Sequence, residues 1–331
     1  MNCLPPPLSL PVSPKPVRAV LDTDTYNEID DQFALVYALL SPERIALEAV
    51  YAAPFHCPAL NSRSTSPADG MESSYAEIHR ILERMPLARP PVVFRGAPRF
   101  LSSRAEAVRN PASLDLVRRA HATPPGETLC VFSSGVTTNV ASALLIDPSI
   151  APRITVVWLG GNPHDWHDGA EFNLRQDVFA AQVLLESGTG FVQIPCKNIA
   201  EHLRTTVPEM AAHVRGRGAI GDYLYKIFSE YENAGDRAGP AGWSKPLWDI
   251  ACVAVAIVPE AFDFVPVARP MLTDDMRWLP AADRGTMVVA RDLKRDLIYA
   301  DLFARLAAAP AATRPGAGID MDPRPAISCV L

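Results

Sequence analysis

An open α/β fold, with a mainly parallel sheet flanked by helices, is predicted by three observations. Strand-like apolar runs alternate with helical segments along most of the 331 residues, and that alternation implies a parallel sheet. The first run, Val17 to Leu21, reads as a buried strand that hands over to a helix at Phe33 to Leu40. No internal repeat and no linker divides the middle of the chain, so residues 16–309 read as one domain.

Taken in order, Ile45 to Ala53 is the second strand. Residues 54–70 then read as a long Ser- and Pro-rich loop, and long loops in compact domains are often functional. A helix is predicted from about Met71 to Met85, a third strand from Pro90 to Arg95 and a fourth from Thr128 to Phe132. The fourth ends in Ser133-Ser134-Gly135-Val136-Thr137-Thr138-Asn139, small residues that let the backbone turn toward a ligand. The helix behind them has Thr138 or Asn139 near its cap. Ile154 to Leu159 is the fifth strand, a helix carries Phe179-Ala180-Ala181, and Phe191 to Ile194 is a further strand. Residues from Glu201 to Lys245 read as mostly helical, with a loop at Gly239 to Trp243. Leu247-Trp248-Asp249 opens an apolar helix to Val258. Several strands follow over Phe262 to Ile298, then a short helix over Asp301 to Ala309. Residues 1–15 and 310–331 are Pro-rich and read as a flexible leader and tail.

Composition narrows the function. A net charge of -6 with no basic patch argues against a nucleic-acid partner. No apolar run reaches membrane-spanning length, and the first residues lack the pattern of a secretory signal. The six cysteines, at 3, 57, 130, 196, 252 and 329, form no CxxC pair. They read as reduced thiols of a cytoplasmic protein, not as zinc ligands.

The chemistry gathers where strands end. Asp22, Asp24, Asp30 and Asp31 lie between the first strand and the first helix, the edge where open α/β sheets bind ligands. Clustered carboxylates repel, and some take up protons unless a cation neutralises them. An all-oxygen set suits a hard divalent ion, calcium or magnesium. Ser133 to Asn139, Glu171 with Asn173, and Asp249 fall at similar positions, which points to one pocket.

This set resembles the nucleoside hydrolase family, the inosine-uridine-preferring nucleoside N-ribohydrolases and their relatives. The family's DxDxxxDD signature is similar to Asp22-Thr23-Asp24 followed by Asp30-Asp31, with two extra residues in the spacer. Its TGxLTN segment resembles Ser134-Gly135-Val136-Thr137-Thr138-Asn139, AEFN is matched in full at Ala170-Glu171-Phe172-Asn173, and its late aspartate resembles Asp249. The resemblance implies a nucleoside hydrolase-like fold holding one Ca2+ through Asp24, Asp31, Asp249 and the carbonyl of Ser134. Ribose hydroxyls and a water would complete that shell. Asp24 would be the general base. Asp30, Glu171, Asn173 and His56 would hold the sugar. Trp248 stands where many members have a histidine, which resembles the purine-specific branch and implies stacking on the base. His164 and His167 are candidate donors to the leaving group. A homo-oligomer, dimer or tetramer, is expected from the same resemblance.

Two other readings use the same residues. Leu21-Asp22-Thr23-Asp24-Thr25 fits the hhhDxDxT motif of haloacid-dehalogenase-like phosphatases, with Asp22 as nucleophile, magnesium as the metal and Asp274-Asp275 as the late acids. A catalytically inactive calcium- and sugar-binding relative would keep the same ligands and release no base.

Overall fold

The computed structural model describes residues 15–58, 64–231, 242–281 and 283–309. The predicted leader (save its last residue), the tail, the tip of the 54–70 loop at 59–63 and most of the loop before Trp243 lie outside them. In chain order, β1 (Val17–Thr23) leads into α1 (Asp30–Leu39), β2 (Ile45–Ala52), α2 (Pro67–Leu82), β3 (Val92–Arg95) and α3 (Pro111–His121). Next come β4 (Leu129–Ser133), α4 (Thr138–Ile146), β5 (Ile154–Leu159), α5 (Phe172–Gln176), α6 (Val178–Glu186) and β6 (Gly190–Ile194). The two-residue strand β7 (Arg204–Thr205), α7 (Val207–His213), α8 (Gly218–Ser229), β8 (Lys245–Pro246) and α9 (Ile250–Ile257) follow. The chain closes with β9 (Phe262–Ala268), β10 (Met271–Leu272), β11 (Trp278–Leu279), β12 (Thr286–Leu293) and α10 (Arg295–Ala308).

Eight strands form one sheet in the order β3-β2-β1-β4-β5-β6-β12-β9. All neighbours are parallel except β9, which runs antiparallel to β12 at the edge. The expected mainly parallel sheet is present. Its central strands are apolar throughout because both faces are covered: every residue of β4 and β5 is buried. Side chains of α1, α2, α8, α9 and α10 join one buried cluster, and those of α3, α4 and α6 join the other.

Several boundaries differ from the sequence reading, and α3 was not foreseen. α2 starts at Pro67, inside the predicted loop, because Ser66 accepts from the Asp69 N–H as an N-cap and Pro67 takes the first helical position. α10 starts at Arg295 and not near Asp301. Thr137, one residue before the expected pair, is the N-cap position of α4. α3 starts from a capping box between Asn110 and Ser113.

The strand order fixes where a ligand can sit. After β1 the chain moves outward through β2 and β3, then returns to place β4 on the other side of β1. Helices that leave in opposite directions open a crevice at such a switch point, beyond the carboxyl ends of the strands. Asp22 lies opposite Ser133 in the β1–β4 register, so the acids and the Ser133–Gly135 turn meet at that crevice.

Candidate active site

Five aspartates converge there. Asp22 closes β1 with Thr23, Asp24 follows, Asp30 and Asp31 form the first turn of α1, and Asp249 is the N-cap position of α9. All five are buried. The two helix starts favour this charge, since the positive end of a helix dipole stabilises carboxylates. Asp30, Asp31 and Asp249 each place an oxygen within 4.8 Å of the others. Asp24 stands outside that trio, yet its charge bears on Asp249.

Hydroxyls and amides hold the acids in place. Asp31 Oδ1 accepts from Thr23 Oγ1 (2.5 Å) and Ser134 Oγ (2.8 Å). Asp22 Oδ1 accepts from Asn139 Nδ2 (2.8 Å), while Asn139 Oδ1 accepts from the Ala97 N–H (2.8 Å). Asn139 is therefore a bracket between α4, β1 and the Gly96–Ala97 turn. The backbone N–H of Asp249 reaches Asp30 Oδ2 at 3.4 Å. Gly135 must be small: a Cβ there would lie 3.0 Å from Asp24 Oδ1 and 3.2 Å from its backbone nitrogen.

Burial and mutual repulsion set the electrostatics. Burial pushes the Asp22 carboxyl up to about 7, against the Asn139 hydrogen bond. Burial raises Asp30 to about 7 as well, with the Lys245 charge opposing it. Asp31 is raised by burial and held back by the Thr23 and Ser134 hydroxyls. Asp24 and Asp249 are pushed well above the usual carboxylate range, by burial first and then by neighbouring aspartates. Oδ2 of Asp22 and Oδ2 of Asp24 are buried with no hydrogen-bond partner among the described residues. Buried acids short of partners, all with oxygen donors, fit a hard divalent cation.

The remaining residues foreseen from sequence are placed as follows. Glu171 caps α5: Oε1 accepts from the Asn173 N–H (2.9 Å), and Oε2 from Gly161 (2.8 Å) and Leu174 (3.3 Å). Asn173 Nδ2 donates to the carbonyls of Ser134 (2.8 Å) and Leu159 (3.0 Å), tying β4 to β5. The Ser134 carbonyl, a foreseen metal ligand, thus already accepts one hydrogen bond. His56 follows β2 at the same sheet edge; its Nδ1 contacts the Ser64 carbonyl at 2.9 Å, and its backbone N–H donates to Gln176 Oε1 at 2.7 Å. Trp248 is half-buried against the core, next to Asp249. His164 Nε2 is 2.8 Å from Gln193 Oε1, and burial lowers its pKa. His167 is exposed and pairs with Asp168.

Two contributors were missed. Lys245 on β8 is buried, forms an ion pair with Glu28 and lies 4.4 Å from the centroid of the Trp248 ring. Trp278 donates from Nε1 to the Asn162 carbonyl (3.1 Å) and packs so near Gly161 and Gly169 that a Cβ on either would come within 3.0 Å of its ring. It braces the loop that carries Glu171. Neither lies in a motif; both act across long sequence separations.

Against this geometry, the family model for inosine-uridine preferring nucleoside hydrolases matches residues 19–309. The chain belongs to that family. It is accordingly a nucleoside hydrolase, a glycosidase acting on N-glycosyl bonds. Solved structures of similar fold include a plant nucleoside hydrolase, at 20% identity and a TM-score of 0.67 over 89% of this chain and 100% of that one. A purine-preferring ribonucleoside hydrolase from Gardnerella vaginalis matches at 20% identity and a TM-score of 0.69, covering 88% and 98%. An inosine-uridine preferring nucleoside hydrolase from Bacillus anthracis matches at 18% and 0.60, covering 88% and 100%. No curated protein sequence matches the chain.

The family match displaces the phosphatase reading, and the structure gives the physical reason. Asp274 and Asp275 sit in the turn between β10 and β11, where Asp274 accepts from Gln182 and Asp275 pairs with Arg277 at the surface. They are not acids of the β1 site. No helix among the described residues is long and apolar enough to cross a membrane.

Proposed function

We propose that this nucleoside hydrolase cleaves ribonucleosides to free base and ribose with a bound calcium ion and a preference for purines. The observation that carries the reading is the set of buried carboxylates at the β1–β4 switch point, with oxygens on Asp22 and Asp24 that have no partner among the described residues. Asp24, Asp31, Asp249 and the second lone pair of the Ser134 carbonyl would hold the ion, with Asp30 beside them. Calcium accepts roughly six to eight oxygen ligands, more than protein supplies here, which leaves room for substrate oxygens. When bound, it supplies Lewis acidity at the sugar end of the site.

The chain's own residues do the rest. Asp24 takes the proton of the attacking water as general base. Asp30 holds a ribose hydroxyl. A carboxylate offers about four lone-pair sites, so Glu171 keeps acceptor capacity beyond its three cap bonds. Asn173 presents its amide oxygen, its N–H groups being directed at Ser134 and Leu159. His56 borders the same edge. Carboxylates around a sugar that becomes cationic favour the transition state. Trp248, next to Asp249, stacks on the base. We further place one catalytic unit in residues 16–309, in the cytoplasm, assembled as a dimer or tetramer.

A screen of purine and pyrimidine nucleosides for free sugar, with calcium and with chelator, tests the reading. Calcium-dependent release is expected, fastest with purines, and Asp249→Ala should lose bound calcium by elemental analysis. Full metal occupancy in Asp249→Ala would remove the ligand assignment. Metal binding without release of base from any nucleoside would leave the inactive sugar-binding reading in its place.

A further inference from the structure

A positive charge lies near both the acids and Trp248, and the mechanism above gives it no task. Lys245 carries it. The side chain is only 6% exposed, and its ammonium pairs with Glu28, a carboxylate still 32% exposed. Nζ lies 4.4 Å from the centroid of the Trp248 ring and 4.5 Å from that of Tyr231. Three residues on comes Trp248, followed by Asp249 of the carboxylate trio. Among neighbouring charges, that of Lys245 has the largest influence on Asp30. Lys245 is therefore near both the acids at the sugar end and the indole.

Beyond the carboxylates, the polar groups beside Trp248 have one role. Ammonium and indole N–H are donors only. The Trp248 N–H is itself buried without an acceptor among the described residues. A base that enters along the indole, in the offset arrangement aromatic rings prefer, brings an edge toward the ammonium. Donor-rich walls select acceptor-rich edges.

We propose that Lys245 is a specificity-determining residue that reads the edge of the nucleobase and favours 6-oxopurines over adenine. This rests on the nucleoside hydrolase reading of the same site and specifies its substrate class. Hypoxanthine and guanine present N7 and O6, two adjacent acceptors, whereas adenine sets a donor amino group beside N7. The ammonium bonds the first pair and opposes the amino group. The same charge acts during cleavage. As the bond between the anomeric carbon and the base nitrogen breaks, its electron pair passes to the base and spreads toward N7 and O6, beside the cation. The water oxygen bonds to the anomeric carbon, its proton goes to Asp24, and the released base takes a proton from solvent.

The test compares kcat/KM for inosine, adenosine and a nitrophenyl riboside in the calcium-loaded enzyme, Lys245→Met and Lys245→Arg. The enzyme should favour inosine over adenosine by at least about 5-fold, within the range of one well-placed bidentate base contact. Lys245→Met should bring that ratio near one, and Lys245→Arg should restore most of it. The nitrophenyl riboside has no purine edge, so Lys245→Met should lose less on it than on inosine, and its remaining cleavage reports a folded site. An unchanged inosine-to-adenosine ratio in Lys245→Met overturns the proposal. Equal loss on all three substrates overturns it too, by making Lys245 a structural counter-charge. Failure of the underlying function looks different: the unmodified enzyme would then release sugar from none of the three.

Discussion

The two ends of β1 hold acids in opposite circumstances. At the start of the strand, Arg18 pairs with Glu48 at 2.6 Å, and Arg119 joins Glu48 at 2.7 Å to Asp115 at 2.5 Å. The Tyr51 hydroxyl adds a bond to Asp115 at 2.9 Å. Burial pushes Glu48 up, but the two arginines outweigh it and hold the carboxyl below its ordinary value. At the far end of the strand, five buried aspartates crowd together, and among the described residues no arginine pairs with any of them. Acids that serve the fold are neutralised within the chain. The acids proposed to serve the reaction are left short of positive charge, an arrangement that a cation from outside would complete.

The largest expected effect tests whether that distinction is functional. Asp24→Asn should keep the fold and lower kcat by about 10²–10⁴-fold, the usual cost of removing a general base. Asp115→Asn, at the other end, should lower thermal stability and leave kcat of the folded enzyme unchanged. Near-normal turnover in Asp24→Asn would end its role as base and remove the contrast at its strongest point.

Next in size is the pH dependence of stability, where the two ends should have opposite signs. With the cation chelated, Asp22 and Asp30 are raised to about 7 from an ordinary 3.8. Between those values the folded state binds more protons than the unfolded chain, so stability falls as pH rises. One carboxyl shifted that far accounts for ~4 kcal/mol across the window. Glu48 works the other way. Its contribution is present above its ordinary 4.5 and is lost as pH falls through the lowered folded value. Thermal melts of chelated protein should therefore show a lower Tm at pH 8 than at pH 5, and calcium should abolish that decline. A chelated protein equally stable at both pH values would show that the chain already neutralises its site.

How much of this contrast could be read from the sequence depends on distance along the chain. Asp22-Thr23-Asp24 and Asp30-Asp31 are legible because strand, acids and helix are neighbours, and their convergence on one crevice follows from the parallel sheet. Local signals were also present and unread. Ser66-Pro67-Ala68-Asp69 is a helix start, and the Asn110 to Ser113 capping box announces α3. Glu171 and Asn173 were legible as polar residues before a helix and through the AEFN resemblance; that one caps α5 and the other ties two strands needs the folded geometry. Lys245 could not be found locally, since its partner Glu28 is 217 residues away. The insertion of β12 between β6 and β9 has the same character: strand pairing over that separation leaves no mark on either segment.

The smallest expected effect concerns Trp248, which lies between the two kinds of role. It touches the buried core, as a structural residue does, and it adjoins Asp249 and Lys245, as a site residue does. As a stacking surface it should favour purines, whose fused rings offer more area than a pyrimidine. Trp248→Ala should then narrow the purine-to-pyrimidine ratio of kcat/KM by ~1–3 kcal/mol, the usual worth of base stacking on an aromatic side chain. As a core residue it would behave differently. Its truncation would cost roughly 3–5 kcal/mol of stability through the cavity left behind and would leave the ratio where it was. Half-burial predicts a stability loss below that range, because part of the ring has no packing to forfeit. Melting temperature and substrate ratio measured on the same variant separate the two. A narrowed ratio with a modest fall in Tm places Trp248 with the site; an unchanged ratio with a large fall places it with the core and removes stacking as the source of any purine preference.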